Sequence, residues 1–256
     1  PIGRGWGVVE VGFRCGMGSG VCPVPAPVLH RLEPHAHVHR FACGQRVQPA
    51  GPTGDHLHYV RRGRVRAVLH GPGGQDKILA ILDQGALIGD GGILHWSGPS
   101  VSYYAAELTE TWSWPRSFIL DLLRVDSELA MYVMASLSRK VQVLVAQIHA
   151  LTFADAGERV VRTFINLARL YGEPTGDGTV RIGLRLTQAD VGEMANASRV
   201  TVNKVFQCLK SEDLMSKRAG YFIVHDMNRL SRCTAAGVLP AARRLPRRRL
   251  PELRRS

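Results

Sequence analysis

The sequence predicts an α+β protein in three consecutive parts: an antiparallel β-barrel, one long helix, and a small domain of short helices that ends in a β-hairpin. Three observations support this. Short apolar runs broken by Gly and Pro fill residues 29–118, neither residue occurs from Leu120 to Leu151, and helical periodicity with capping residues follows Asp155. Short punctuated runs are typical of antiparallel sheets, and long uninterrupted periodic segments are typical of helices.

Composition indicates a globular chain. The 256 residues are 45% hydrophobic and 21% charged, which supplies a core and excludes a wholly disordered protein. The net charge is +12, but residues 239–256 contain seven arginines and one glutamate and so carry half of it. We expect this basic tail, residues 233–256, to be disordered and to attract polyanions without specificity.

Nothing in the sequence predicts a secretory signal or a membrane span. Residues 1–28 are rich in Gly and Pro and lack a basic n-region followed by a compact apolar stretch, so we expect a loose N-terminal arm. No apolar run reaches the roughly 20 residues that cross a bilayer. The five cysteines are scattered and form no CxxC pair, which indicates a reducing, cytoplasmic compartment.

The barrel is predicted for residues 29–118. Its apolar runs include Leu57–Val60, Val65–Leu69, Ile78–Leu82 and Val101–Ala106, and turn residues such as Gly, Pro and Arg-Gly separate them. Repeated short runs of this kind favour an antiparallel sandwich or small barrel.

The long helix is predicted for residues 119–153. Seven apolar residues follow one another at alternating spacings of four and three: Ala130, Met134, Leu137, Val141, Leu144, Ile148 and Leu151. This is the a/d pattern of a helix that pairs with another helix, and we expect the partner to be an identical chain. The alternative is an amphipathic helix that lies on its own barrel, but the stripe is narrower than such a helix needs.

Residues 154–232 form the predicted C-terminal domain, in which residues 186–210 are the most informative. Thr187 is a good N-cap, Asn196 tolerates the left-handed conformation of a tight turn, and Ser198 caps a second helix. The outer face of that helix has three positive charges and no negative one. It consists of Arg199, Val200, Thr201, Asn203, Lys204, Gln207 and Lys210. A recognition helix in the major groove of double-stranded DNA requires such a face.

Two short strands follow around an Ala219-Gly220 turn, with Lys217 and Arg218 beside it, where a wing could contact phosphates. A surface helical hairpin with solvated lysines is the alternative interpretation. The order of helix, tight turn, capped basic helix and basic hairpin favours DNA binding. The residues assigned to DNA are Thr187, Gln188, Ser198, Arg199, Val200, Thr201, Asn203, Lys204, Lys217 and Arg218.

This segment resembles the Crp/Fnr family of bacterial transcription regulators. Residues 186–214 are similar to the family's LTQ…DLA…G-S-R-x-T-V-S-R…L…G-L pattern, and residues 38–45 and 59–65 are similar to the first strands of its effector barrel. The resemblance runs from about Leu32 to Arg232. It implies a jelly-roll barrel like a cyclic-nucleotide-binding domain, a dimerisation helix and a winged helix-turn-helix. It also implies a palindromic operator, a small-molecule effector and RNA polymerase as a further partner.

The effector cannot be read directly from this resemblance. Family members that bind cyclic nucleotides carry G-E-x-x-x-L, whose Glu holds the ribose, and a following Arg that holds the phosphate. Here Gly89 and Asp90 begin that segment, and Ser100 or Val101 stands where the Arg is expected. Because a buried phosphate would lose its bidentate partner, we expect little or no binding of cyclic AMP.

An iron–sulfur cluster is not expected either. The family's iron–sulfur members need three clustered N-terminal cysteines, whereas Cys15 and Cys22 are seven residues apart and Cys43 lies far beyond them.

Two alternating sets of histidines leave a haem- or metal-dependent sensor open as an alternative. His35, His37 and His39 form one set, and His56 and His58 form the other. Polar strand faces are the commoner explanation of such alternating histidines. A cupin-like metalloenzyme also uses an H-x-H pair, but no glutamate or later histidine completes its ligand set here, so we expect no enzymatic activity.

A small organic effector is the leading hypothesis. Residues 83–89 and 103–112 and the helix through Arg139 resemble the regulators of reductive dehalogenation, which respond to halogenated phenols. In that subgroup a basic residue of the long helix and aromatic residues of the barrel hold the phenolate. The resemblance therefore implies an aromatic or weakly acidic effector, and no other cofactor, held by Arg139 first and Lys140 second, with Tyr103 or Tyr104, and by Gly89 and Asp90. The alternative is that the tyrosines only pack.

The operator is expected to be rich in A/T. The family often has a glutamate where Val200 stands, and a glutamate can accept a hydrogen bond from cytosine N4. Valine cannot, but it can pack against the methyl group of thymine.

Overall fold

The computed structural model describes residues 24–48, 55–93 and 101–235. Strands β1–β8 are His37–Phe41, Arg46–Gln48, His56–Arg62, Val65–His70, Asp76–Leu82, Leu87–Ile88, Val101–Ala105 and Thr109–Pro115, and β9–β12 are Gly172–Pro174, Val180–Ile182, Met215–Arg218 and Tyr221–Val224. Helices α1–α8 are Ala26–Leu32, Asp90–Ile93, Arg116–Val125, Ser127–Phe153, Ala156–Tyr171, Gln188–Ala195, Arg199–Ser211 and Met227–Ala235. Most of the N-terminal arm, Ser100 and the tail beyond residue 235 lie outside the described residues.

The predicted barrel is confirmed. Strands β1–β8 form two antiparallel four-stranded sheets, in the orders β1-β8-β3-β6 and β2-β7-β4-β5. Val60 and Ile88 of the first sheet pack against Val65, Leu82 and Ala105 of the second, so the two sheets enclose an apolar interior.

The outer face of the first sheet is covered by helices. Because side chains alternate along a strand, Leu57 and Tyr59 of β3 point away from the interior and pack on α1, α3 and the start of α4. Trp114 of β8 is fully buried there, and its indole Nε1 donates to the carbonyl of Leu32 at 2.9 Å.

Helix α1 corrects the boundary of the expected loose arm. Residues 26–28 are helical, and Val28 and Leu32 are buried against the barrel. Pro27 suits the first turn of a helix, where its missing N–H has no intrahelical partner to lose.

The long helix also differs from the prediction. Residues 116–153 form two helices that break at Asp126, whose backbone is extended. The Asp126 side chain accepts a hydrogen bond from the Leu129 N–H at 3.0 Å and so caps α4, while Arg31 donates to the same carboxylate at 2.8 Å. The capping aspartate therefore starts a new helix where the periodicity predicted one continuous helix.

Helix α4 presents two different faces. Leu129, Tyr132 and Val133 of its first half are buried on the barrel, whereas Val141 and Ile148 further along the predicted seam are 56% and 62% exposed. By length and composition α4 could also cross a membrane, which the sequence did not predict. Its early turns pack on the barrel.

The C-terminal domain is built on α5–α8 and the sheet β11-β12-β10-β9. Phe164, Phe206 and Phe222 form its aromatic centre, with ring centroids 5.0–6.3 Å apart. The β11–β12 hairpin turns at Ala219 and Gly220, which both have positive φ, as a two-residue turn between twisted strands requires.

We predict that Asp126→Ala lowers the free energy of unfolding by about 1 kcal/mol, because α4 loses its N-cap. Asp126→Asn keeps an oxygen that can accept from the Leu129 N–H and should recover most of that loss. Urea denaturation followed by circular dichroism measures both variants. Equal losses in the two would show that the cap is not the cause.

Candidate nucleic-acid interface and effector site

Helix α6 begins with a reciprocal capping box. The Thr187 hydroxyl accepts from the Asp190 N–H at 3.1 Å, and the Asp190 carboxylate accepts from the Thr187 N–H at 2.7 Å. The helix ends at Asn196, which is left-handed with φ of 49°. The turn then passes so close to Gly192 that a Cβ there would lie 2.8 Å from the Ala197 carbonyl. The predicted tight turn therefore depends on both Asn196 and Gly192.

Helix α7 has the two faces that the sequence predicted. Ser198 accepts from the Thr201 N–H at 3.1 Å and caps the helix, and Val202 and Phe206 are among the residues buried beneath it. On the outer side Arg199, Asn203 and Lys204 are exposed, and Val200 is 64% exposed. Thr201 is half-buried, and its hydroxyl is 2.9 Å from that of Ser198.

Two contacts connect α7 and the wing to the start of α6. Gln188 Nε2 donates to Asn203 Oδ1 at 3.4 Å. Lys217 Nζ donates to the Leu186 carbonyl at 3.0 Å and lies 4.4 Å from the centre of the Phe222 ring. Lys217 therefore anchors the wing within the domain, while Arg218 is exposed beside the hairpin turn. The outer face of α7 and the wing form a cationic surface with the chemistry that DNA phosphates and base edges require.

The candidate effector site centres on a buried ion pair between barrel and helix. Asp90 is 3% exposed, and its Oδ1 lies 2.5 Å from Lys140 Nζ of α4. Lys140 also donates to the Leu87 carbonyl at 2.9 Å, and Ser136 Oγ donates to Asp90 Oδ2 at 3.3 Å. Gly89, at φ of 88°, places Asp90 at the start of α2. A buried carboxylate is tolerated here because a cation and a hydroxyl satisfy it.

Tyr103 belongs to this site and Tyr104 does not. Tyr103 packs on the interior cluster, and burial together with the nearby Asp90 raises the pKa of its phenol, so the phenol is a neutral donor. Tyr104 points to the opposite side of β7, where it contacts the Arg46 guanidinium and the His70 ring. Successive residues of a strand face opposite sides, and the sequence interpretation left the choice between the two tyrosines open.

Arg139 and Lys140 divide in the same way. Arg139 donates through Nη1 to Gln142 Oε1 at 3.2 Å, and its side chain lines a cleft between the two domains. Lys140 instead contacts Asp90 of the barrel. Successive helix positions differ by about 100° around the axis. The structure thus brings Gly89, Asp90, Tyr103 and Lys140 together and places Arg139 and Tyr104 elsewhere.

The predicted histidine sets lie on strands β1 and β3, which flank β8 in one sheet, except for His35, which lies in a 3-10 turn before β1. The His39 and His58 rings are 6.0 Å apart, His39 Nε2 is 2.8 Å from Ser113 Oγ, and His58 is buried. Burial, with His39 and His56 nearby, lowers the pKa of His58 to about 4, so its ring is neutral near pH 7. Within the described part of the chain, no group of three His, Cys, Asp or Glu side chains could hold a metal ion.

The sequence analysis missed two basic residues that connect the two domains and a third that joins elements within the C-terminal domain. Arg66 of β4 forms a 2.7 Å ion pair with Asp190, and Lys77 of β5 donates to the Met194 carbonyl at 3.0 Å, so the barrel contacts both ends of α6. Arg159 of α5 donates to carbonyls at the ends of α4 and α6. Arg66 and Asp190 are 124 residues apart, so no local sequence pattern predicts that they form an ion pair.

Comparisons with known proteins agree with this geometry. A family model for the Crp-like helix-turn-helix domain matches residues 158–233, and one for the cyclic nucleotide-binding domain matches residues 38–126. The cAMP-activated global transcriptional regulator CRP of Pasteurella multocida is 26% identical over 203 residues, which cover 78% of this chain and 95% of that protein. A CRP-like cAMP-activated regulator of Mycobacterium tuberculosis is 26% identical over 87% of this chain and 98% of its own length.

Solved structures share the fold. The OCPA complex of a CprK variant superposes with a TM-score of 0.65 at 23% identity, covering 84% of this chain and 98% of that one. The c-di-GMP-responsive regulator CLP of Xanthomonas campestris reaches 0.70 at 18% identity, covering 79% and 100%. Because the two family models together match well over half of the chain in the order barrel then helix-turn-helix, the protein belongs to the Crp/Fnr family and is an effector-controlled, DNA-binding transcription regulator.

Proposed function

We propose that this regulator is a homodimer that binds an A/T-rich inverted repeat in response to a small aromatic, weakly acidic effector held between the barrel and α4. The observation that carries the effector class is the buried Lys140–Asp90 pair beside the neutral phenol of Tyr103. Since its partner is chromosomal DNA, we place the regulator in the cytoplasm.

Lys140 has the donors that an anionic effector needs. An ammonium carries three N–H groups, and the contacts with Asp90 and the Leu87 carbonyl use two of them. A phenolate or carboxylate that accepts from the third competes with Asp90 for the same charge. Weakening the Lys140–Asp90 contact loosens α2 from α4, so occupancy of the barrel changes the position of the helix that leads to the DNA-binding domain.

Cyclic AMP fits these residues poorly, although the curated relatives respond to it. Asp90 is shorter than the glutamate that holds ribose in the family, and its carboxylate is already engaged by Lys140 and Ser136. At the position of the expected arginine, Val101 is a half-buried residue of β7.

We predict that 2,4-dichlorophenol raises the Tm of the protein, because a ligand that binds only the folded state stabilises it. Cyclic AMP and haem should leave Tm unchanged. Lys140→Met should abolish the shift by the phenol, and Arg139→Met, the matched control one position along α4, should retain it. A thermal-shift assay measures all of these. A shift by micromolar cyclic AMP, or a shift lost only in Arg139→Met, would overturn the effector assignment.

The homodimer is supported by the apolar stripe that α4 leaves exposed. Val141, Leu144 and Ile148 continue the heptad pattern beyond the part of α4 that packs on the barrel, and they are 56%, 42% and 62% exposed. Pairing with the same helix of a second chain removes this apolar surface from water.

We predict that Leu144→Asp weakens the dimer and operator binding together, because it places a charge in the paired seam. Gln142→Asp adds the same charge to α4 outside the stripe and should leave both unchanged. Multi-angle light scattering and gel-shift titration measure the two properties. A Leu144→Asp protein that stays dimeric would contradict the proposal that the apolar stripe of α4 is the dimer interface.

The A/T-rich operator is supported by the exposure of Val200 near the N-terminus of α7, between the basic residue Arg199 and the polar residue Asn203. An exposed valine at the reading end of a recognition helix can contact a thymine methyl group.

We predict that Val200→Glu shifts the preferred base pair at one position of each half-site toward C·G, by about 1–3 kcal/mol if the new hydrogen bond is well aligned. Arg218→Ala, which removes from the wing a charge that we expect to face a phosphate, should weaken binding to all DNA sequences by a similar factor and reduce the dependence of the affinity on salt concentration. Selection from a randomised DNA library compares the variants with the wild type. An unchanged preferred sequence in Val200→Glu would make Val200 a packing residue only.

A further inference from the structure

A concave surface lies outside the barrel, in the cleft between the two domains. The cleft has a volume of about 590 Å³ and is partly open to solvent. It is lined by strand β5, by one face of α4 between Arg139 and Leu151, by helix α5 and by the end of α6. This volume is within the range of small-molecule sites, roughly 300–1,000 Å³. The site is separate from Asp90, Tyr103 and Lys140, none of which lines it.

The lining of this cleft is apolar and cationic. Five basic residues line it, Lys77, Arg139, Arg159, Arg162 and Arg169, and no described lining residue is acidic, although Arg162 forms a 2.7 Å ion pair with Glu158 beside the cleft. A concave surface with charges of one sign and apolar walls concentrates the electrostatic potential and favours a ligand of opposite charge.

Two of these cations are bound to neutral groups. Lys77 donates to the Met194 carbonyl, and Arg159 donates to the carbonyls of Ala154, Ala195 and Asn196 at 2.7–2.9 Å. Burial, and secondly the charge of Arg159, lower the pKa of Lys77. The helix-end carbonyls offset part of the positive charge, and an anion in the cleft would offset more.

The cleft also contains an acceptor that needs a donor. The Gln147 side chain donates through Nε2 to the Leu79 carbonyl, while its Oε1 is buried and has no hydrogen-bond partner among the described residues. Buried polar atoms are nearly always paired, so a rotation of the Gln147 side chain that opens Oε1 to the cleft would let a ligand N–H or O–H donate to it.

We propose that this cleft binds an organic anion that has an apolar body and one hydrogen-bond donor. The anion faces Lys77 and Arg159, the donor faces Gln147, and the apolar body lies along Ile78 and Ala146. Because the walls come from both domains, an occupant contacts the barrel and the DNA-binding domain at once and shifts the equilibrium between their relative positions. This proposal does not depend on the effector assigned to the barrel.

The probe for this proposal is 8-anilinonaphthalene-1-sulfonate, which combines two apolar ring systems, one N–H and one sulfonate. Titration of the full-length protein by calorimetry should give one bound probe per chain. N-phenyl-1-naphthylamine, which has the same rings and N–H without the sulfonate, should bind at least tenfold more weakly.

Variants locate the bound probe. Lys77→Met should weaken binding at least tenfold by removing a charge, and Ala146→Trp should do so by filling the cleft without changing any charge. Lys140→Met removes a cation that does not line the cleft, so this variant should bind the probe within about twofold of the wild type. Full binding by Ala146→Trp, equal binding of the uncharged analogue, or loss of binding in Lys140→Met would overturn the proposal. The last result would move the probe to the barrel and would leave the barrel effector site standing.

Discussion

Helix α4 makes contacts in three different environments along its length, because this single helix of 27 residues runs from the barrel to the DNA-binding domain. Its first turns bury Leu129 and Tyr132 on the barrel. Its middle carries Lys140 into the barrel, and its remaining length exposes an apolar stripe. If effector binding changes the contact of Lys140 with Asp90, the 27 residues of α4 connect that change to the DNA-binding domain. There Arg159 joins the helix to the turn between α6 and α7.

Asp190 shows how tightly the DNA-binding motif is joined to the barrel. One carboxylate caps α6 through Thr187 and pairs with Arg66 of β4. Arg66 lies directly opposite Tyr104 and next to Ala67, the partner of Tyr103, in the ladder between β4 and β7. The strand beside the candidate effector site is therefore the strand that contacts the start of the helix-turn-helix, a short physical route between ligand and DNA.

The two candidate ligand sites differ in their electrostatics. In the barrel the charge of Lys140 is balanced by Asp90, so an anion must compete for a cation that already has a partner. In the interdomain cleft Lys77 and Arg159 are bound to backbone carbonyls, which carry only partial charge. Selectivity at the first site therefore depends on how well a ligand replaces Asp90, and at the second on charge and fit.

Local patterns predicted the parts of this protein that local forces determine. Gly and Pro punctuation predicted the barrel, and Thr187, Asn196 and Ser198 predicted the helix-turn-helix, because caps and turns depend on neighbours within a few residues. The same reasoning predicted one helix over residues 119–153, and it was wrong at Asp126, where a capping carboxylate and the distant Arg31 start a new helix. The basic outer face of α7 and the heptad stripe of α4 were also evident from spacing alone.

Two kinds of feature became clear only from the folded chain: which of two adjacent residues faces a site, and which residues far apart in sequence are in contact. Lys140 rather than Arg139 contacts Asp90, and Tyr103 rather than Tyr104 packs on the interior cluster, because the orientation of a whole helix or strand on its neighbours determines which of two successive side chains faces inward. The partners Arg66 and Asp190 are 124 residues apart. Periodicity and capping residues were sufficient to predict most of the helices and strands, the helix-turn-helix and the apolar stripe of α4, since these depend on residues close in sequence. The folded chain decided the effector site and the interdomain cleft, since both depend on how separate elements pack.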